Sequence, residues 1–284
     1  MIQARERVLS ALWGEAPDPV VAGFTYVPAS VAGHDDPPPP GGGAMRVARA
    51  AADAQLDFVF VRHGAAGSRR LAGLLVELGI EPVWAIDGVL WSALDALGLE
   101  LGLRATVLAP DSLEPLLDAA LDRALAAVQV AHAAGAVAVA VGEDLAGDAG
   151  PLVAPDYVND AVMPRIARIA QEATSLGMPA ILHTDGDARV FVPAAARSGF
   201  QAIHASGGSP GFALLAAAAR AAGLAAVGGI STAALSGGLD PAVAAGTLAA
   251  TLAAGGGILV ADDGGISTRD QYVALAAALE AARR

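Results

Sequence analysis

The segment of residues 179–187 carries the side chains best suited to chemistry. Its last part, His183-Thr-Asp185-Gly-Asp187, follows the short apolar run of residues 180–182. In an extended segment, side chains two residues apart point to the same side. His183 and Asp185 could therefore bind one metal ion, or one could orient the other for proton transfer. The alternative without chemistry is a rim histidine hydrogen-bonded to a neighbouring carboxylate.

Polar residues follow other apolar runs in the same way. They are Arg62 and His63, Asp87, Glu143 and Asp144, His204, and Asp262 and Asp263. The carboxyl ends of parallel barrel strands meet at one face, so these side chains are expected in a single pocket. Asp263 and Glu143 favour a metal, because a hard cation needs several oxygen ligands.

The apolar runs alternate with helical patterns along the chain. The predicted strands are residues 20–27, 57–63, 82–87, 136–144, 180–182, 201–206, 225–230 and 258–263. The predicted helices are residues 4–13, 45–55, 69–78, 90–130, 155–176, 192–198, 212–222, 241–254 and 268–282. The region 90–130 is interrupted near Ala109-Pro-Asp-Ser, where Asp111 or Ser112 could cap the second helix.

Eight strands, each followed by helical material, predict an α/β fold: a single TIM (β/α)8 barrel with an N-terminal helical extension. One domain would cover residues 1–284, with the barrel core starting at about residue 20. A doubly wound open sheet is the alternative. The dinucleotide-binding form of that sheet is disfavoured, because no GxGxxG motif follows the first strand.

Composition excludes several classes of function. The formal net charge of −12 argues against nucleic acid or an anionic membrane as a partner. The chain has no cysteine, which excludes disulfides and thiolate sites, and all 17 basic residues are arginine. Without lysine, Schiff-base chemistry and anchoring of pyridoxal phosphate (PLP) are excluded. The charged N-terminal residues lack an apolar signal segment, so a cytoplasmic location is expected.

Three loops could contribute to a binding site. The Pro- and Gly-rich loop 30–43, which contains His34, would be either a lid or a plain surface loop. Two similar Gly-rich turns follow the seventh and eighth strands at residues 228–232 and 264–268. Backbone N–H groups in such turns often bind phosphate in barrels, although Arg269 is the nearest cation in the sequence.

Several motifs in order resemble the uroporphyrinogen decarboxylase superfamily over most of the chain. They are Ala4-Arg-Glu-Arg-Val-Leu-Ser-Ala-Leu-Trp-Gly-Glu, Gly142-Glu-Asp-Leu-Ala-Gly, Gly150-Pro-Leu-Val-Ala-Pro with Met163-Pro-Arg-Ile, His183-Thr-Asp-Gly-Asp and Gly255-Gly-Gly-Ile-Leu. This resemblance implies a TIM barrel. It also implies one of two activities: decarboxylation of tetrapyrroles, or methyl transfer between a corrinoid and a thiol such as coenzyme M.

Departures from the superfamily separate these two activities. The decarboxylases carry an Arg-rich segment after the first strand and an essential Asp after the second. Here residues 24–28 contain no arginine, and the second strand ends in Arg62-His63. The methyltransferases bind zinc through a His-x-Cys pair and a later Cys. The matching positions here are His183, Asp185 and Asp263, where oxygen replaces sulfur, so the site would hold zinc or no metal.

The leading hypothesis is therefore a methyltransferase that uses a free or protein-bound corrinoid, or another small molecule. His183, Asp185, Glu143 and Asp144 would be catalytic. The expected substrate-binding residues are Tyr26, Arg62, His63, Asp87, His204 and Gly229. A decarboxylase or lyase, a non-catalytic member that binds a tetrapyrrole or corrinoid, and a phosphate-binding barrel enzyme are the alternatives. The oligomeric state stays open, with a homodimer among the options.

Overall fold

The computed structural model describes residues 3–16, 20–25, 42–147, 149–205, 209–236 and 256–282. Four of the features expected from the sequence fall wholly or mainly outside these ranges: Tyr26, His34, most of the loop 30–43, and the helix at 241–254.

Eight parallel strands form one sheet whose strands are ordered as in the chain. They are β1 Gly23–Phe24, β2 Phe58–Arg62, β3 Glu81–Asp87, β4 Ala138–Gly142, β5 Ala180–Thr184, β6 Ala202–Ala205, β7 Ala225–Ile230 and β8 Ile258–Asp262. A parallel bridge between Ala22 and Val260 joins the first strand to the last. The Val260 N–H donates to the Val21 carbonyl at 2.9 Å. The sheet thus closes, which confirms the TIM barrel and rules out the open sheet.

Helices flank the barrel in the alternating order expected of this fold. They are α1 Ala4–Leu12, α2 Gly42–Asp53, α3 Ser68–Glu77, α4 Val89–Leu97, α5 Leu99–Leu108, α6 Glu114–Ala133, α7 Pro155–Tyr157, α8 Met163–Ser175, α9 Val192–Arg197, α10 Ser209–Ala221, α11 Thr232–Ser236 and α12 Arg269–Ala282. Short 3-10 turns at Pro110–Leu113 and Arg189–Phe191 precede α6 and α9. A two-stranded antiparallel ladder, Ala146–Gly147 with Gly150–Pro151, follows β4.

Two predicted helices are broken where the backbone requires it. The region 90–130 contains a further break at Gly98, whose φ of +83° ends α4 before α5 begins. The predicted cap of the following helix is wrong, because neither Asp111 nor Ser112 is its N-cap; Leu113 occupies that position without a side-chain hydrogen bond. Within 155–176, a π-helical turn at Val158–Val162 precedes Pro164, which has no N–H to continue an α-helical ladder.

The inside of the barrel is filled by every second residue of the strands. These side chains form one buried cluster that includes Phe58, Phe60, Val83, Ala138, Ala140, Ile181, Ala202, Ala225, Val227, Leu259 and Ala261. Three residues of α1, Val8, Ala11 and Leu12, belong to the same cluster, so the N-terminal helix covers one end of the barrel. The other end, where the strands finish, is left for the site.

In the described part of the chain, no helix has both the length and the apolar character needed to cross a membrane.

Leu259→Ala tests the importance of the barrel interior. Leu259 is fully buried among the inward side chains of the strands. Its truncation should lower the free energy of unfolding by about 2–5 kcal/mol, because it removes apolar contacts and leaves a cavity. Leu101→Ala is the matched control, at a position on α5 that is 65% exposed. It should change the free energy of unfolding by less than about 0.5 kcal/mol. Chemical denaturation of both variants measures the difference, and equal losses would contradict the assignment of Leu259 to the core.

Candidate functional site

A cavity of about 780 Å³ opens at the carboxyl ends of the strands. The strand-end side chains that line it are Thr25, Phe60, Arg62, Asp87, Asp144, His183, Asp185, His204 and Asp263. The first turn of α4 adds Trp91, the start of α11 adds Thr232 and Ala233, and the loops after β7 and β8 add Ser231, Gly264 and Gly265. His183 and Asp263 therefore face one common cavity.

The alternation of side chains along each strand decides which polar residues reach this cavity. On β4 the inward positions Ala138 and Ala140 are continued by Gly142 and then by Asp144. Glu143, between them, has the opposite orientation. On β8 the inward positions continue to Asp263, while Asp262 lies on the other side. Adjacent carboxylates thus take different environments, as the two-residue period of a strand requires.

His183, Asp144 and Asp185 form a group that could hold a metal ion. Each offers one ligand atom, and these atoms lie within 4.8 Å of one another. The His183 Nε2 atom is 3.9 Å from Asp144 Oδ1 and 3.8 Å from Asp185 Oδ1. The Asp144 Oδ1 atom is buried and has no hydrogen-bond partner among the residues that the structure describes. Two carboxylates and a ring nitrogen therefore converge on one point without satisfying one another.

Burial determines the charges within this group. It lowers the pKa of His183 to about 4, so the imidazole is neutral near pH 7. Burial also raises the pKa of Asp144, and the nearby negative charge of Asp185 raises it further, while a hydrogen bond from the Asp185 backbone acts in the opposite direction. Placing a cation between these groups would relieve both effects.

Contacts between the loops after β4 and β5 bring Asp144 and Asp185 together. The Glu143 N–H donates to the His183 carbonyl at 2.8 Å, and the Leu145 N–H donates to Thr184 Oγ1 at 3.0 Å. Gly186 lies against Gly147 with a φ of +68°, and a Cβ there would be 2.3 Å from the Gly147 carbonyl carbon. Glycine is thus required where the two loops touch.

Glu143 caps α4 instead of facing the cavity. Its carboxylate accepts hydrogen bonds from the backbone N–H groups of Val89, Leu90 and Trp91. A Cβ on Gly88 would lie 2.2 Å from the Glu143 carboxyl carbon, so the helix start fits closely around this side chain. Burial raises the pKa of Glu143 to about 7, although the three N–H donors oppose the shift. Glu143 thereby fixes the turn that carries Trp91 to the cavity.

Asp262 and Asp263 make different connections at the end of β8. Asp262 is fully buried, and its carboxylate accepts from the Thr25 N–H at 2.8 Å, from the Thr25 hydroxyl and from the Gly265 N–H at 2.7 Å. It therefore ties the end of β8 to the end of β1. Asp263 lines the cavity and accepts from the Thr232 N–H at 2.9 Å.

The expected substrate-binding residues fall into three groups. Arg62, Asp87 and His204 line the cavity. Arg62 Nη2 and Asp87 Oδ1 are 3.9 Å apart, and both side chains are largely exposed. His63, which accepts a hydrogen bond from the Trp84 indole at 3.1 Å, and Gly229 are not among the described residues that line the cavity. Tyr26 lies outside the described residues.

The group differs by one residue from the metal site expected from the sequence. Among the described residues, Asp144 joins His183 and Asp185, whereas Asp263 does not belong to the group. Trp91 in the cavity wall was also not expected. The two-residue period along β4 could have predicted that Asp144 faces the cavity. No sequence pattern indicates that α4, which follows the neighbouring strand β3, begins against Glu143.

Comparisons with solved structures support the fold. A methyltransferase from Methanosarcina mazei superimposes with a TM-score of 0.76 at 17% identity, over 99% of each chain. D-allulose 3-epimerase from Methylomonas sp. superimposes with a TM-score of 0.60 at 15% identity, over 94% of this chain and 97% of the epimerase. An archaeal fructose-1,6-bisphosphate aldolase superimposes with a TM-score of 0.54 at 13% identity, over 99% of this chain and 100% of the aldolase. The catalytic Lys of that aldolase can have no counterpart here, because this chain has no lysine.

The chain is a closed TIM barrel with a cavity at the carboxyl ends of its strands, and ionisable side chains line this cavity. In TIM-barrel enzymes the active site lies at this end. The model of the uroporphyrinogen decarboxylase (URO-D) family matches residues 96–274, which is more than half of the chain. The chain belongs to this family, whose members are enzymes. No curated protein matches the chain in sequence.

Glu143→Gln tests the buried cap through the pH dependence of stability. The pKa of Glu143 is about 7 in the folded protein against an ordinary value of 4.5, so the folded state binds this proton more tightly than the unfolded state. Its stabilising contribution is therefore complete below pH 4.5 and is lost as the pH rises through about 7. The free energy of unfolding of the wild type, minus that of the variant, should fall across this window.

Urea denaturation of the wild type and the variant at several pH values measures this difference. Glu77→Gln, at an exposed position on α3, controls for the loss of a surface carboxylate. A difference that stays constant from pH 4.5 to above pH 7 would show that Glu143 does not titrate in this window.

Proposed function

We propose that this chain is a methyltransferase that moves a methyl group between a corrinoid and a thiol or similar small acceptor. Asp144, His183 and Asp185 would hold a divalent metal ion, of which zinc is the first candidate. The observation that carries the proposal is the convergence of His183 Nε2 with two carboxylate oxygens, one of them buried without a hydrogen-bond partner among the described residues.

The donor set suits a metal with three protein ligands. Zinc binds imidazole nitrogen and carboxylate oxygen, and its catalytic sites keep one position open for water or substrate. A neutral His183 is the protonation state that binds metal, and its pKa of about 4 keeps it so at neutral pH. A bound divalent ion supplies Lewis acidity, which lowers the pKa of a thiol or water that it binds. Compared with thiolate ligands, two carboxylates make a harder site.

Other residues of the cavity would orient the reactants. Trp91 and Phe60 add aromatic surface to the cavity, and Asp263 and Thr232 add polar groups from the side of β7 and β8. Glu143 would act through α4, because its carboxylate is engaged by backbone N–H groups. The corrinoid partner, free or bound to a protein, would approach from the open end of the barrel.

Two features favour methyl transfer over decarboxylation of a tetrapyrrole. Among the described residues that line the cavity, Asp87, Asp144, Asp185 and Asp263 carry carboxylates, whereas Arg62 alone carries a permanent positive charge. Such a surface repels a substrate with several carboxylates. In addition, the lowered pKa of His183 makes the imidazole a poor general acid near pH 7.

Metal analysis tests the site directly. Wild-type protein supplied with zinc and then dialysed should retain about one equivalent. Asp144→Asn and His183→Ala should retain little, because each removes one of three ligands. Asp187→Asn is the matched control: its carboxylate is engaged by Arg189 outside the group, with N–O distances of 2.7 and 2.6 Å. Wild-type protein that retains no more zinc than His183→Ala would remove the metal from the proposal.

A visible-absorbance assay tests the reaction. Wild-type protein, a methylated corrinoid and a thiol should give a time-dependent change in the corrinoid spectrum. His183→Ala should slow this change by more than about 100-fold, because loss of even an indirect metal contact typically costs 10–100-fold. Binding of the corrinoid without any spectral change would indicate a binding protein, and unchanged turnover in His183→Ala would contradict the proposed centre.

A further inference from the structure

His204, on β6, lies directly beside His183 and is fully buried. The two ring centroids are 4.7 Å apart, the ring planes differ by 24°, and the Nδ1 atoms are separated by 2.6 Å, so the rings meet edge to edge. The Nε2 atom of His204 is 3.1 Å from the backbone carbonyl oxygen of Asp262. Phe60 packs edge-on against the same ring at 5.7 Å. Both nitrogens of His204 are thus engaged, and its ring is held on two sides.

These distances determine where the protons lie. A carbonyl oxygen only accepts, so His204 Nε2 must carry a hydrogen that it donates to Asp262. His204 is fully buried, and burial favours the neutral form of an imidazole, which carries one hydrogen only, so its Nδ1 is an acceptor. Two bare nitrogens would repel each other at 2.6 Å. His183 Nδ1 must therefore carry the hydrogen of this bond, which leaves His183 Nε2 with a free lone pair.

We infer that His204 is a positioning residue that selects the tautomer of His183, so that the free Nε2 lone pair of His183 is directed at the two carboxylates. The relay runs from the Asp262 carbonyl through His204 to His183. Its application to metal binding rests on the proposed function, whereas the tautomer itself does not.

The hydrogen bond to His204 is needed to keep the proton of His183 on Nδ1. Without an acceptor at Nδ1, the proton of a neutral His183 would move to Nε2, where it could bond to Asp144 or Asp185 at the cost of the lone pair. The Asp262 carbonyl is well fixed, because the carboxylate of the same residue is bonded to Thr25 and Gly265. The closure of β8 onto β1 thereby anchors the orientation of a side chain on β5.

Nitrogen-15 NMR of histidine-labelled, metal-free protein at neutral pH tests the tautomer. We expect His183 protonated at Nδ1 and bare at Nε2, and His204 protonated at Nε2 and bare at Nδ1. Assignment uses His183→Ala and His204→Asn. Wild-type protein in which His183 carries its proton on Nε2 would overturn the inference. This measurement needs neither metal nor turnover, so the tautomer can be confirmed even if no metal binds.

Two substitutions then separate the relay from simple packing. His204→Leu removes the acceptor, so the His183 proton should shift to Nε2 and zinc affinity, measured by competition with a chromophoric chelator, should fall about 10–100-fold. His204→Asn keeps an acceptor oxygen near the position of Nδ1, so it should preserve the His183 tautomer and most of the affinity. A folded His204→Leu variant with the wild-type tautomer and affinity, or equal losses in both variants, would contradict the role given to His204.

Discussion

The two-residue alternation of side chains along closed parallel strands is the constraint on which the site depends. Inside the barrel it selects small and aromatic apolar residues such as Ala140 and Phe60. Beyond the last apolar layer, the same inward positions bring Asp144, His183 and His204 to the cavity. The outward positions Glu143 and Asp262 instead attach a helix and a neighbouring strand end to the rim. Polar residues that are adjacent in the sequence therefore have separate functions: one faces the cavity, and the other supports the wall.

Electrostatics at the rim follows from this separation. The outward carboxylates of Glu143 and Asp262 are buried and accept hydrogen bonds from backbone and hydroxyl donors. They therefore hold the start of α4 and the loop after β8 in place. The inward group is partly buried and faces like charges with few donors, as the raised pKa of Asp144 reflects. A buried carboxylate oxygen such as Asp144 Oδ1, which has no hydrogen-bond partner among the described residues, costs folding free energy unless a cation or proton joins it. The group of Asp144, His183 and Asp185 therefore lowers the stability of the protein as long as no ligand is bound. Such destabilised ionisable groups are common at functional sites.

The chain order of the elements could be predicted because each strand is a short apolar run and each helix has its own period and stop signal. The errors have local causes. Gly98 ends α4 within a stretch whose hydrophobic pattern continues, and a π-helical turn at Val158–Val162 precedes Pro164, which lies in the first turn of α8. The cap expected at Asp111 or Ser112 failed because the 3-10 turn Pro110–Leu113 uses those residues and leaves Leu113 at the start of α6. Hydrophobic period alone does not show these backbone events.

The sequence by itself determined the barrel, the place of His183 and Asp185 at the carboxyl end of the fifth strand, and the exclusion of thiolate and lysine chemistry. These follow from residue types and from contacts close along the chain. Only the tertiary structure decided that Asp144 joins the group in place of Asp263, that Glu143 holds α4, and that His204 bonds to His183. Each depends on distances between strands and loops far apart in sequence, set when the sheet closes and side chains pack, and no local pattern contains such distances.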